Sequence, residues 1–313
     1  MNGLICTNGK VLYYVVKQAL RLLNISFQRE NSHGVLVWSD AVRLEFFDLI
    51  HPYQVINRLP FASTWARKVP FVRLLQRIQH YYPKDYKFLP KSFVLPQDES
   101  LFQEALSKRD KFYIYKPDRG SLGHGIRLIS PNTEYKTSRR SAVAQEYIEA
   151  YTIDNLKFDL RIYVLILSVT PLQIYVCRNG VARFCTENSG TDSNYSFLTN
   201  TAINAKNPDA VPDQMTRMIS NVFKQMQLQG VDINALWKRI DDVIILTVIS
   251  AYGYLAKMEK EQCPNNGISR CFQIFGCDIL LDKNLNPYIL EINHRPSMKT
   301  NTEDSKQLKI RML

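Results

Sequence analysis

Several things are missing from this 313-residue sequence, and each absence removes a class of function. No apolar run approaches the length that spans a bilayer. The longest candidates, 162–169 and 243–256, are interrupted by polar residues and read as core elements. The N-terminus, Met1-Asn2-Gly3-Leu4-Ile5-Cys6, lacks a basic stretch followed by an apolar one, so no secretory signal is expected. The six cysteines are scattered and none forms a C-x-x-C pair, which leaves zinc little support and predicts a reducing, intracellular setting. Cys177, Cys185, Cys271 and Cys277 fall in strand-like runs, where a free cysteine behaves as a small apolar residue. Internal repeats, low-complexity segments and a long basic tail are all lacking. Acidic residues are in short supply: 29 Asp and Glu face 40 Lys and Arg, a formal charge of +11. An excess of that size implies an acidic partner without naming it. The basic residues are dispersed, with small clusters at Arg67-Lys68, Lys108-Arg109 and Arg139-Arg140.

What remains is ordinary globular composition, 45% hydrophobic and 22% charged, in a length that predicts two or three compact units. Helical spacing predicts helices over 11–23, 44–50, 71–82, 100–107, 213–226, 233–240 and 243–260, with Ser100 as an N-cap. Strands are predicted over 34–39, 88–95, 111–115, 142–148, 158–167, 172–177 and 181–186. The pattern reads as α+β around a mainly antiparallel sheet.

The most informative segment is Asp278-Ile-Leu-Leu-Asp-Lys-Asn-Leu-Asn-Pro-Tyr-Ile-Leu-Glu-Ile-Asn293, two apolar runs around a Lys-Asn-Leu-Asn turn. A hairpin centred between Asn284 and Leu285 sets Asp278 opposite Glu291, and strand alternation points Asn293 the same way as Glu291. Carboxylates and an amide converging there are costly without a cation, and hard oxygen ligands suit Mg²⁺, which usually completes its shell with nucleotide phosphates. Upstream, Tyr115-Lys116-Pro117-Asp118-Arg119-Gly120-Ser121-Leu122-Gly123-His124-Gly125 is a strand entering a glycine loop. Its glycines free the backbone to bend around phosphates, and Lys116 can reach one as a point charge. It is not a Walker loop, since no G-K-[ST] follows. Lys157, Asp159 and Arg161 alternate along one strand and share a face, with Arg183 in a neighbouring strand as a further cation.

Taken in order, K-P-D-R-G-S-L-G-H-G-I, Q-E-Y-I, K-F-D-L-R-I-Y-V-L, R-F-C-T, L-T-N-T-A-I-N and F-G-C-D-I-L-L-D-K-N-L-N-P-Y-I-L-E-I-N-H-R-P-S resemble the tubulin tyrosine ligase-like family, a branch of the ATP-grasp enzymes. The resemblance covers nearly the whole chain and is strongest to the glutamylase members. It implies an ATP-grasp fold with an N-terminal α/β domain at 1–60, a central domain at 61–148 and a C-terminal domain at 149–313, the last two enclosing ATP. Lys116 and Lys157 would contact ATP phosphates, with Gly123 and Gly125 in the loop over them. Gln145, Glu146, Tyr147 and Ile148 would hold adenine through their backbone. Asp159, Thr199 and Asn200 would lie beside the ribose and phosphates. Arg161 and Arg183 would face the transferring phosphoryl group, and Asp278, Glu291 and Asn293 would hold Mg²⁺, the same three residues that the hairpin brings together.

The implied activity is ATP-dependent addition of L-glutamate to glutamate side chains of acidic tails, tubulin or microtubules above all, through an acyl-phosphate. The implied setting is cytoplasmic, at the microtubule cytoskeleton including cilia or flagella, with no nucleic acid and no membrane as partner. A member adding tyrosine or glycine, or a catalytically weak microtubule scaffold, is the alternative. Three positions depart from the family: Phe197 for the usual His, a position near the amino-acid substrate; Leu122 for a polar residue; and Gln273 for Glu. Family glutamylases often continue with further helices and some carry a basic microtubule-binding region; with Leu313 soon after the Glu-Ile-Asn strand, a compact, a partnered and an incomplete chain all stay open.

Overall fold

The computed structural model describes residues 4–7, 11, 13–29, 34–40, 44–120, 123–137, 139–191, 193–263, 267–300 and 302–313. Ser121 and Leu122 of the glycine loop, and with them the departure at Leu122, lie outside the described residues. The described residues form a mixed α/β structure built on three sheets.

The N-terminal sheet is parallel, in the order Ser26–Arg29, Leu4–Thr7, Leu36–Val37, Val55–Ile56. Helix Tyr14–Leu22 covers it because its apolar spacing collects Val15, Val16, Ala19 and Leu20 on one buried face. The strand expected over 34–39 shortens to two residues, and Leu44–Leu49 is a 3₁₀ helix rather than an α-helix. Backbone bonds from Ile56 N–H to the Arg270 carbonyl (2.8 Å) and from Phe272 N–H to the Ile56 carbonyl (2.9 Å) tie this sheet's edge to the segment entering the C-terminal sheet.

The middle sheet is antiparallel, ordered Ser92–Leu95, Ala142–Glu146, Tyr113–Pro117, Arg127–Ile129. Helix Glu99–Ser107 packs Phe102 against Phe93, Tyr113 and Tyr135 with ring centroids 5.1–5.3 Å apart. Asp98, not Ser100, precedes this helix, and its carboxylate accepts from the Val94 N–H at 2.7 Å instead of capping.

The C-terminal sheet is antiparallel along Thr216–Met218, Leu172–Phe184, Leu156–Val169, Gln273–Leu281, Pro287–Asn293, with Thr152–Ile153 added beside Leu156. The strands expected over 172–177 and 181–186 are one strand. Arg178-Asn179-Gly180 resembles a turn in sequence, yet Gly180 lies so close to the Arg161 carbonyl that a Cβ there would overlap it. The helix expected over 213–226 starts late, at Ile219, because Thr216–Met218 pairs with Val181–Arg183 at the sheet edge. Conversely, the helices expected over 233–240 and 243–260 are a single helix, Ile233–Gln262. Asp241 at the apparent break does not end it but receives two hydrogen bonds from Arg178, at 2.7 and 2.9 Å. This helix and the sheet share one large core that includes Phe158, Leu160, Ile162, Ile244, Val248 and Phe275.

Candidate active site

A cavity of about 680 Å³ opens between the middle and C-terminal sheets, within the ~300–1,000 Å³ of small-molecule and cofactor sites. Its floor is built by strand alternation. On Leu156–Val169, Phe158, Leu160 and Ile162 enter the core while Lys157, Asp159 and Arg161 share the opposite face. Cross-strand register sets Asp159 opposite Arg183 and Arg161 opposite Asp278, and Asp278 in turn opposite Glu291. Four adjacent strands thus deliver two arginines and three carboxylates to one place.

The charges are directly paired. Arg183 donates to both oxygens of Asp159, at 2.7 and 2.6 Å, and lies 2.7 Å from Asp278 Oδ2. Arg161 donates to both oxygens of Asp278, from Nε and, at 3.0 Å, from Nη2. Thr199 Oγ1 donates to Asp159 at 2.6 Å. Burial alone would raise the Asp278 carboxyl, but Arg161 and Arg183 hold it well below the usual carboxylate range. Burial, and then the Asp278 charge beside it, push Glu291 up. Asn293 Nδ2 donates to Glu291 Oε1 at 3.1 Å. Two buried carboxyls opposite each other beside an amide form a hard-oxygen set whose mutual repulsion a divalent cation would relieve, so the residues fit Mg²⁺. Gly276, opposite Asn293, leaves room for Arg161: a Cβ would meet its Cδ at 2.9 Å.

Lys116 Nζ donates to Gln145 Oε1 at 2.6 Å, and Lys157 Nζ donates to the Phe197 carbonyl at 3.0 Å while lying 3.9 Å above the Tyr147 ring. Burial pushes both lysines down to about 8. Buried cations weakly compensated by carboxylates are suited to phosphate.

Every residue given a catalytic, nucleotide or metal role from sequence lines the cavity except Gly125. Gly125 shapes the loop instead, with φ +74° and a Cβ position 2.9 Å from the Pro117 ring; Gly123 (φ +78°) is the loop glycine at the cavity. The Glu146 and Tyr147 N–H groups are engaged by the carbonyls of Lys91 and Phe112, at 2.7 and 2.9 Å. The Glu146 side chain pairs outward with Lys111. Asn200 Oδ1 caps the short helix Thr201–Asn204 by accepting from the Ala202 N–H at 2.9 Å. Phe197, expected near an amino-acid substrate, lies beside Tyr147 and Phe112, with centroids 5.1 and 5.5 Å away, at the end where adenine was expected.

Sequence reading missed several lining groups. Arg67 pairs with buried Asp118, whose other oxygen accepts from the Val69 N–H at 3.0 Å, and Lys68 reaches the Gly120 carbonyl at 3.3 Å. The Arg67-Lys68 cluster was their only signal. His294 and Arg295, directly after Asn293, also line the cavity. Burial, with Arg295 and Arg58 nearby, pushes His294 down to about 4. Gln273 bridges the two segments there: its Oε1 accepts from the Leu59 N–H at 2.8 Å and its Nε2 donates to the His294 carbonyl. A deprotonated glutamate could not make the second bond.

A profile of the tubulin-tyrosine ligase family matches residues 48–313. The chain is 35% identical to mouse tubulin polyglutamylase TTLL6 over 96% of its own length and 38% of that protein. It is 34% identical to mouse tubulin polyglutamylase TTLL13 over 98% of its length and 40% of the relative, and 36% identical to human tubulin polyglutamylase TTLL11 over 79% and 38%. The chain therefore spans about two-fifths of these relatives. With a family profile over most of its length and the cavity's ionic line built from the motif residues, this chain belongs to the tubulin-tyrosine ligase family.

Proposed function

We propose that this chain is an ATP-dependent ligase that joins the amine of L-glutamate to glutamate side chains of acidic protein tails, tubulin tails first among them. The observation that carries the reading is the Arg183–Asp159, Arg161–Asp278 and Glu291 line, flanked by Lys116 and Lys157 in one cavity. The fold reading belongs to the same proposal: an ATP-grasp in which 61–148 and 149–313 enclose ATP beside an N-terminal α/β unit. Relatives named as tubulin polyglutamylases support glutamate over tyrosine or glycine. No helix among the described residues is long and apolar enough to cross a membrane. The expected place of work is the microtubule surface.

In this reading Lys116 and Lys157 bind and orient the phosphates, and the apolar end beside Tyr147 and Phe197 takes the base. Asp278, Glu291 and Asn293 would hold Mg²⁺, which supplies charge neutralisation on the phosphate oxygens. Arg161 and Arg183 stabilise charge as the γ-phosphoryl passes to an acceptor carboxylate oxygen and ADP departs. The glutamate amine then attacks the acyl carbon, an amide bond forms, and inorganic phosphate leaves. The test is incubation of the purified chain with tubulin, ATP and labelled glutamate, glycine or tyrosine in turn. Label from glutamate alone, dependent on ATP, is expected; label from another amino acid alone, or none, overturns the reading.

A further inference from the structure

Asn204 closes the Leu198-Thr199-Asn200-Thr201-Ala202-Ile203-Asn204 run and has no part in the chemistry above. It is nevertheless 0% exposed, and every hydrogen-bonding position of its amide is filled. Oδ1 accepts from the Thr186 N–H and from Thr186 Oγ1, both at 2.9 Å. Nδ2 donates to the Leu198 carbonyl at 2.6 Å and to the Asn200 carbonyl at 3.1 Å. A backbone N–H can only donate and a carbonyl only accept, so these partners fix which way the amide points. Asn207 Nδ2 donates to Thr186 Oγ1 at 2.9 Å, which turns the proton of that hydroxyl towards Asn204.

What lies between these partners gives the amide its importance. Thr186 follows strand Leu172–Phe184, whose Arg183 holds Asp159. Leu198 and Asn200 flank Thr199, whose hydroxyl donates to the same Asp159. One residue earlier, the Phe197 carbonyl holds Lys157 Nζ at 3.0 Å. Phe197, Thr199 and Asn200 line the cavity, whereas Asn204 stands behind them. The helices on either side of this loop, Asn194–Phe197 and Thr201–Asn204, are four residues each, and a single turn has little stability of its own. The loop therefore takes its position from side-chain bonds to the sheet. Gly123 of the glycine loop rests on the second of these helices: a Cβ there would meet Ile203 Cδ1 at 2.8 Å and Asn200 Cγ at 3.3 Å.

Resting on the nucleotide reading of the cavity, we infer that Asn204 is a positioning residue for the nucleotide. Its amide ties the 197–200 loop to the end of strand Leu172–Phe184. It thereby sets where the Thr199 hydroxyl, the Phe197 carbonyl that holds Lys157, and the seat of the glycine loop stand. Asn204 touches no reacting atom and acts only through these groups.

The test is calorimetric titration of the 313-residue chain with a non-hydrolysable ATP analogue and Mg²⁺. Asn204→Asp keeps the shape of the side chain and its acceptor but turns an oxygen towards two buried carbonyls. The folded variant escapes that repulsion by moving the loop, and the nucleotide must then bring it back. Affinity is expected to fall about tenfold or more, the scale of leaving buried carbonyls without a donor. Asn204→Ala leaves room for a water that serves the same carbonyls, so it should lose less; it decides the matter if Asn204→Asp does not fold. Tyr86→Phe is the control. It removes a hydroxyl that donates to the Leu246 carbonyl at 3.1 Å, away from the cavity lining. It should lower the unfolding midpoint and keep the affinity. Wild-type affinity in the folded deciding variant, or a loss matched by Tyr86→Phe, would overturn the positioning role and leave Asn204 a purely structural residue. A wild-type chain that binds no nucleotide would instead remove the nucleotide reading, and this role with it.

Discussion

Arg183→Met should cost the fold more than any other single change in the cavity, because Arg183 serves two buried carboxylates. It donates to both oxygens of Asp159 and lies 2.7 Å from Asp278, whose side chains are 3% and 2% exposed. Methionine replaces the stem but not the charge. Asp278 keeps Arg161, while Asp159 keeps, among the described residues, only the Thr199 hydroxyl as a hydrogen-bond donor. Removing one partner of a buried pair costs about 3–5 kcal/mol, and urea unfolding followed by circular dichroism and tryptophan fluorescence reads it directly. Adding Asp159→Asn removes the orphaned charge and should recover about 1 kcal/mol or more. The pH dependence follows from signs. Asp278 is held below its usual range, so its contribution is complete above the unfolded value near pH ~4 and is lost as pH falls through the folded value. Glu291 is raised, so its contribution is complete below its unfolded value and fades as pH rises through the folded one. Without Arg183 the Asp278 value rises, and the gap between wild type and variant should be full at neutral pH and narrow below about pH 4. A loss under ~1 kcal/mol at neutral pH, or a gap that stays constant into acid, refutes the reasoning.

Glu291→Gln should abolish ligation while circular dichroism stays unchanged, since it removes an anion opposite Asp278; wild-type turnover by the folded variant would exclude Glu291 from the metal set. Lys116 and Lys157, pushed down to about 8 by burial, gain a phosphate partner on nucleotide binding. ATP affinity should therefore fall as pH rises past about 8, with proton uptake measurable by calorimetry in buffers of different ionisation enthalpy; pH-independent binding would contradict it. Exposed charge contacts weaken as the Debye length falls from about 10 Å at 0.1 M salt to about 3 Å at 1 M. Salt should thus raise the KM for tubulin more than the KM for ATP, and protease removal of the acidic tails should abolish activity. Equal modification of intact and tail-cleaved tubulin, insensitive to salt, would point to a different acceptor.

The charged floor was legible where alternation decides it and illegible where long-range pairing does. Lys157, Asp159 and Arg161 had to share a face, but that Arg161 meets Asp278 depends on strands 117 residues apart in sequence. The hairpin shows how a correct pairing can rest on an incorrect centre. Leu281 faces Pro287 and Leu280 faces Tyr288, so the turn centres on Asn284. Asp278 still meets Glu291 because a bulge at Leu290 shifts the register by one residue just before the proposed metal ligands. Periodicity carries no sign of that extra residue. His294 and Arg295 were quoted in the N-H-R-P-S run but given no role for a related reason: what ties their segment to Leu59 is Gln273, which reaches both ways from a distant strand.

One constraint couples the metal and the nucleotide. Asp278 is both an assigned Mg²⁺ ligand and the carboxylate that neutralises Arg161 and Arg183, the groups assigned to the transferring phosphate. A cation alone would draw Asp278 from the arginines, leaving Arg183 to Asp159 and Arg161 buried without its carboxylate. A nucleotide alone would draw the arginines away and leave Asp278 charged beside Glu291. Arriving together, the two exchange partners with these ion pairs and leave no buried charge unpaired. The coupling is reciprocal by linkage. It should appear as ATP affinity that rises on adding Mg²⁺ by more than chelation in solution explains. Asp278→Asn isolates the protein's share, since chelation in solution is the same for both proteins. The variant should bind metal-free ATP as well as wild type or better, and lose most of the gain from Mg²⁺. An equal Mg²⁺ gain in wild type and variant would mean that Asp278 serves the arginines alone and that the cation is held elsewhere.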